Sequence, residues 1–162
     1  VVCMVQPGDN DDAELSNLLT AALLETGKMV YLAPNGKKSA PIKSVAIAWN
    51  GSREAARAVA LAMPILESAE TVTVLAGTSD YLTPAEVNSF IASLQWHGVN
   101  AKPRIFTMSG DQAGRLQAEA MDAGAQVLVL GAYSHSRMRE FVFGGVTDDI
   151  ITAANMPVLM AH

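Results

Sequence analysis

Cysteine is almost absent from the sequence, and this limits how the chain can be stabilised. Cys3 is the single cysteine among 162 residues, so no disulfide can form within the chain. Such cysteine usage fits a reducing compartment, and we expect a cytoplasmic location. Long apolar runs are missing too, because none reaches the roughly 18 residues that a membrane-spanning helix needs. We therefore expect no membrane partner.

Charged residues are also few, at 17% of the sequence, and acidic residues exceed basic ones by 16 to 11. The resulting net charge of -5 argues against a nucleic-acid partner, since general nucleic-acid binders present a basic face. It does not exclude a small anion held by a local group of cations. Apolar residues make up 50% of the sequence, which is enough to build a sizeable core.

Short apolar runs alternate with segments of helical periodicity from residue 43 to the end of the chain. Strands separated by helices of this length are typical of βαβ units. The alternation therefore predicts an α/β domain with an open, five-stranded, parallel, doubly wound sheet of the Rossmann-like type. The predicted strands are 43–50, 71–77, 101–110, 126–132 and 156–162, and the predicted helices are 52–69, 83–98, 111–124 and about 145–154.

The segments that follow the strands are the candidate binding segments. Ligands of doubly wound sheets bind beyond the carboxyl ends of the strands, where the strand order reverses. The most informative of these segments is 131–147, in which Gly131 follows a strand and Gly144 and Gly145 precede a helix. Amides at a helix start bind phosphate groups. The other candidate segments are 50–53, 76–80 and 107–112.

The first 42 residues have a different organisation. A strand is predicted over 1–5, a helix over 14–26, a strand over 29–34 and a linker over 35–42. Residues 20–32 align with 147–159 at one constant spacing, which matches Thr20 with Thr147, Met29 with Met156, Leu32 with Leu159, and Leu23 and Leu24 with Ile150 and Ile151. Because the chain also begins at Val1 inside a strand-like run, we interpret 1–34 as the strand–helix–strand remnant of a similar preceding domain. Residues 43–162 would then be the complete domain.

Two segments carry a resemblance to a known family. They are VAIAWNGSREAARAVALAMPIL (45–66) and GAYSHSRMREFVFGGVTDDIITAANMPVLM (131–160). With the order of strands between them, they resemble the universal stress protein family, and the whole chain resembles the C-terminal portion of a tandem universal stress protein. The resemblance implies an adenine nucleotide alpha hydrolase-like fold. It also implies a stress-response regulatory module that binds ATP or a related adenine nucleotide, with Mg²⁺ as the accompanying ion and weak ATPase activity at most.

The resemblance also implies which residues would contact the nucleotide. In nucleotide-binding members the loop after the fourth strand reads Gly, two residues, Gly, nine residues, Gly, then Ser or Thr. This sequence departs from that pattern at Ser134 and Gly145, and it has Asn50 where the family usually has Asp. The implied contacts are Asn50, Gly51, Gly131, Ser134, Arg137, Gly144, Gly145, Val146 and Thr147.

The departures leave two interpretations of the loop open, a phosphate cradle and turn geometry inherited with the fold. Ser134 adds a Cβ where the backbone favours glycine, and Gly145 lacks a hydroxyl donor. Asp148 and Asp149 suit a helix start but repel a nearby phosphate. For Asn50, a nucleotide contact and a turn-forming role carry similar weight.

The alternative function is a stress-response interaction module that binds no nucleotide. In the resembling family, members associate through their last strands. Segments 29–34 and 156–162 are therefore the expected edges of a homodimer or of a tandem-domain contact.

Two further interpretations carry less weight. A hydrolase would have to use Ser134, His135 and Ser136, but adjacent side chains rarely point toward each other, and we assign no catalytic residue. The three histidines have no ligand spacing, so no metal site is expected. Trp49 is expected to pack under the sheet rather than line a pocket.

Overall fold

The computed structural model describes residues 1–6, 13–34, 36, 41–78, 82–108, 110–133 and 145–162. Strands and helices alternate along these ranges, as the apolar periodicity predicts. The strands are β1 (Val2–Val5), β2 (Val30–Ala33), β3 (Ser44–Ala48), β4 (Thr71–Thr78), β5 (Ala101–Thr107), β6 (Val127–Gly131) and β7 (Val158–Ala161). The helices are α1 (Ala13–Glu25), α2 (Arg53–Ser68), α3 (Pro84–Trp96), α4 (Gln112–Asp122) and α5 (Val146–Ala153).

All seven described strands form one sheet in the order β1-β2-β7-β6-β3-β4-β5. The five strands from β3 to β7 pair in parallel, which confirms the parallel sheet predicted for 43–162. The sheet of the chain nevertheless has seven strands rather than five, because β2 pairs with β7 in the antiparallel sense and β1 pairs with β2 in parallel. The physical reason lies in β7, whose four residues are all buried and would otherwise form an open apolar edge.

Helices cover both faces of the sheet and form two apolar cores. One core lies between the sheet and α1, α4 and α5, and it includes Leu19, Leu116 and Ile150. The other lies between the sheet and α2 and α3, and it includes Val59 and Leu94. The central strand β6 is buried along 127–130, as expected of a parallel strand covered on both faces.

The alignment that was predicted between the two ends of the chain is matched at only part of the helix positions, because Leu24 is exposed while its counterpart Ile151 is buried, and it fails in the strands. Leu23 of α1 and Ile150 of α5 both belong to the core under α1, α4 and α5. Leu32 of β2 lies in that core too, but its predicted counterpart Leu159 of β7 faces the core under α2 and α3. Successive strand residues point to opposite faces, so a constant spacing cannot relate the two strands. The predicted alignment of β2 with β7 is therefore wrong by one residue.

Helix starts are closed by the residues that sequence rules favour. Thr83 and Glu86 form a reciprocal capping box at α3, with Pro84 in the first turn. Asp111 caps α4 through a bond from the Gly114 amide to its Oδ1 of 2.8 Å. Over the described ranges, the helices are all too short or too polar to cross a membrane.

Candidate functional site

The strand order reverses between β3 and β6. From β3 the chain proceeds to β4 and β5 on one side, whereas from β6 it proceeds to β7 on the other side. Ala48 at the end of β3 lies beside Leu130 near the end of β6. The predicted site residues Asn50 and Gly51 on one strand end, and Gly131 on the other, are therefore brought to one edge of the sheet, where doubly wound folds bind their ligands.

The turn between β3 and α2 is closed by its own hydrogen bonds. The Ser52 amide donates to Asn50 Oδ1 at 3.1 Å, and the Ala55 amide donates to Ser52 Oγ at 3.1 Å, which caps α2. Gly51 between them adopts φ of +74°, a left-handed conformation that favours glycine. The side-chain oxygen Oδ1 of Asn50 therefore helps to form the turn.

Gly131 has a packing role at the end of β6. A Cβ on this residue would lie 2.4 Å from the Ala55 nitrogen and 2.5 Å from the Glu54 carbonyl carbon. The missing side chain therefore lets the first turn of α2 approach the strand, as glycines of dinucleotide-binding turns do at helix–strand contacts. The absence of a side chain at Gly131 thus allows the start of α2, which follows β3, to pack directly on the end of β6.

Tyr133 follows β6 and forms hydrogen bonds with the first turn of α5. Its amide donates to Thr147 Oγ1 at 3.2 Å, and its hydroxyl donates to Asp148 Oδ1 at 2.9 Å. The same hydroxyl lies 3.5 Å from Thr20 Oγ1 on α1. Burial, aided by the Asp148 carboxylate, raises the pKa of Tyr133 above that of an exposed tyrosine.

The start of α5 differs from the starts of α2, α3 and α4. Its N-cap is Gly145, which has no side chain to bond the first-turn amides, and a Cβ there would meet nothing within 4 Å. Asp148 and Asp149 occupy the first turn. Thr147 is buried, and its hydroxyl already accepts the bond from Tyr133. The contacts of Val146 and Thr147 with a nucleotide stay predictions.

Several predicted residues lie outside the described part of the chain. These are Ser134, Arg137 and Gly144 of the predicted phosphate loop, together with His135 and Ser136 of the weaker hydrolase interpretation. Their predicted roles stay predictions.

Two residues at this edge of the sheet were not singled out by sequence reasoning. Tyr133 adopts φ of +52°, which sequence rules assign to glycine or asparagine and not to an aromatic residue. His162 approaches the Ala132 carbonyl oxygen with its Nδ1 at 3.0 Å, a contact that follows from the pairing of β6 with β7. Neither position carries a sequence signal of its role.

Trp49, directly after β3, packs against α3. Its ring is stacked on Phe90 with 3.6 Å between the ring centroids, and both residues flank the core under α2 and α3. This confirms the expectation that Trp49 packs under the sheet.

A cavity of about 410 Å³ lies between α4 and α5, and none of the predicted nucleotide contacts lines it. Its wall includes Asp111, Gln117 and Asp149. In the described ranges, histidine, cysteine and acidic residues form no group of three that could hold a metal ion.

Comparison with known proteins identifies the class to which this fold and site belong. A family model described as the universal stress protein family matches residues 41–162. The match covers most of the chain, and the chain therefore belongs to the universal stress protein family. Among curated proteins, none matches the chain.

Solved structures with the same fold are universal stress proteins at low sequence identity. One from Archaeoglobus fulgidus superposes with a TM-score of 0.71 at 15% identity, over 98% of this chain and 61% of that one. The chain thus spans less than two thirds of the length of that protein. One from Arabidopsis thaliana, solved with AMP bound, gives a TM-score of 0.51 at 18% identity, over 74% of this chain and 90% of that one. A third, in complex with cAMP, gives 0.54 at 16%, over 76% of this chain and 99% of that one.

Proposed function

We propose that the chain is a regulatory module that binds ATP or a related adenine nucleotide at the carboxyl ends of β3 and β6. The phosphates would meet the first-turn amides of α5, and the nucleoside would lie toward Asn50 and Gly51. Gly131 would hold the two connections together, and Ser134, Arg137 and Gly144 would complete the loop. Mg²⁺ would accompany the phosphates, and we assign no catalytic residue.

The observation that carries this proposal is the open start of α5 beside the point where the strand order reverses. Helix amides attract phosphate groups when no side chain occupies them, because they combine free donors with the positive end of the helix dipole. Of the four helices whose N-caps are described above, only α5 begins at a residue without a side-chain cap.

Family membership supports the same ligand class. Two universal stress proteins of this fold were solved with AMP and with cAMP. Both ligands combine an adenine base with a phosphate group. The phosphate matches the donors at α5, which is why we propose an adenine nucleotide rather than an uncharged ligand.

The proposal is tested by identifying what the purified protein carries. The protein is denatured, any released nucleotide is identified by mass spectrometry, and ATP is titrated by calorimetry. We expect a stoichiometric adenine nucleotide or micromolar ATP binding. Gly145→Asp should weaken that binding by about tenfold or more, because a carboxylate there bonds the amides and repels phosphate.

Gln95→Glu is the matched control, since it adds the same negative charge at an exposed position on α3. It should leave ATP affinity within about twofold, because solvent screens exposed charges. A folded protein that carries no nucleotide and shows no heat with ATP, AMP or cAMP would contradict the proposed function.

The second candidate function is an interaction module that works without nucleotide. Pairing of β2 with β7 favours it, because the last strand makes an antiparallel contact with the strand–helix–strand unit at the start of the chain. We propose that this unit belongs to a similar preceding domain, so that the contact is of the tandem-domain kind. Because β2 and β7 both lie inside the sheet of one chain, the homodimer predicted through 29–34 and 156–162 has no free edge at these strands. Light scattering of a nucleotide-free protein tests the homodimer, and a monomer would leave the tandem-domain contact as the form of this hypothesis.

A further inference from the structure

Tyr133 lies where three parts of the chain meet at the proposed phosphate site. Its amide bonds Thr147 and its hydroxyl bonds Asp148, so it contacts two consecutive residues in the first turn of α5. The hydroxyl also lies 3.5 Å from Thr20 of α1. Tyr133, two residues after the end of β6, therefore contacts both α5 and the α1 helix of the first strand–helix–strand unit.

The backbone of Tyr133 is held in an unfavourable conformation. Its φ of +52° makes it the one residue other than glycine with positive φ in the described chain. Such conformations cost about 1–3 kcal/mol and persist where surrounding contacts enforce them, often at functional sites. In this conformation Tyr133 makes its hydrogen bonds to Thr147 and Asp148.

Asp148 is the third residue of α5, a position from which a carboxylate commonly reaches back to the helix start. The Glu86 carboxylate does so at the equivalent position of α3, where it accepts a bond from the Thr83 amide at 2.7 Å. In α5 the Asp148 carboxylate accepts a bond from the Tyr133 hydroxyl instead. A carboxylate turned toward the helix start would compete with a phosphate for the same amides.

We propose that Tyr133 is a positioning residue of the phosphate site, whose hydroxyl holds the Asp148 carboxylate away from the first-turn amides of α5. The inference rests on the proposed nucleotide function. Thr20 supports the arrangement from α1, so the first unit of the chain contributes to the site without touching the ligand. With Asp148 held by Tyr133, the first turn of α5 can contain a carboxylate and still accept an anionic ligand at its amides.

The test is a double-substitution cycle on the full chain, with ATP and adenosine as ligands. Tyr133→Phe removes the hydroxyl and keeps the ring, so it should release Asp148 and weaken ATP binding about tenfold. Asp148→Asn should restore ATP affinity in the Tyr133→Phe background, because a neutral amide does not repel phosphate. Adenosine has no phosphate, and its affinity should stay the same in all variants.

Thr20→Val should weaken ATP binding in the same direction and by less than Tyr133→Phe. The inference is overturned if Tyr133→Phe leaves ATP affinity unchanged in a protein that binds ATP, or if Asp148→Asn fails to restore it. Equal loss of ATP and adenosine affinity would also overturn it, since that result indicates a distorted site rather than a repelling charge. If the unsubstituted protein binds no nucleotide, the proposed function fails, and the inference fails with it.

Discussion

The connections β3–α2 and β6–α5 leave adjacent strand ends and lead into helices, yet they are built in opposite ways. In β3–α2, Asn50 and Ser52 bond the turn and cap the helix with their own side chains. In β6–α5, the helix begins at the uncapped Gly145, and the first-turn carboxylate of Asp148 is bonded by Tyr133. The first connection satisfies its polar groups locally, whereas in the second no side chain of the described residues caps the helix.

This difference separates residues that stabilise the fold from those that are available to a ligand. Asn50 and Gly131 are nucleotide contacts by resemblance, but in the structure one closes a turn and the other admits the backbone of α2. Within the described ranges no side chain bonds the first-turn amides of α5, so these amides contribute less to stability. Substitutions in the two connections should therefore act on different measured quantities.

The largest expected effect comes from placing the same methyl group at two glycines of the β6–α5 connection. Gly131→Ala should reduce the free energy of unfolding by about 3 kcal/mol or more, because the new Cβ would overlap the α2 backbone, which cannot move as a side chain can. Gly145→Ala should lower it by no more than about 1 kcal/mol, because its Cβ would meet nothing within 4 Å and the remaining cost is that of alanine at an N-cap. Urea denaturation of both variants measures the difference. Similar values for the two would refute the packing role of Gly131.

A smaller effect is expected from the cap of the β3–α2 connection. Ser52→Ala should lower the free energy of unfolding by about 1 kcal/mol, because the Ala55 amide loses its side-chain acceptor. Ser93→Ala is the control, since the Ser93 hydroxyl donates to a carbonyl within α3 and caps nothing. ATP affinity should be the same in both variants. A stability loss in Ser52→Ala no larger than that of the control would show that the cap is not required.

The smallest effect concerns alkaline pH. Burial raises the pKa of Tyr133, so the folded chain holds this proton more tightly than the unfolded chain does. The stabilisation is present below the ordinary tyrosine pKa of about 10 and is lost as the pH rises through the higher folded value. Between about pH 8 and pH 10.5, Tyr133→Phe should therefore lose less unfolding free energy than the unsubstituted protein. Equal losses would contradict this linkage.

Much of the fold follows from the sequence because its signals are local. Alternating apolar runs predict β3 to β7 with their helices, and Thr83, Pro84 and Asp111 predict where α3 and α4 begin. The edge of the sheet that carries the site follows from the same alternation, since the carboxyl ends of parallel strands lie together. Asn50, Gly51 and Gly131 lie at this edge for that reason, whereas their contacts with a nucleotide stay predictions.

What could not be predicted depends on contacts between distant segments. The seven-stranded sheet requires β2 to pair with β7, and no local pattern states that register. Because the local pattern does not specify the register, the predicted alignment matched Leu32 with Leu159 and was wrong by one residue. The role of Tyr133 depends on Thr20, Thr147 and Asp148, which only the folded chain brings to it.

The order of strands also gives the sheet two unlike ends. The β5 edge contains Pro103 and is flanked by Lys102 and Arg104, and proline and cations discourage the addition of a further strand. The β1 edge is short and carries the exposed apolar residues Val1 and Val5. Strand addition is therefore discouraged at the β5 end, where an incoming strand would have to pair beside a proline that cannot donate a hydrogen bond and beside two cations. The sheet is thus protected at that end against growth by edge-to-edge association.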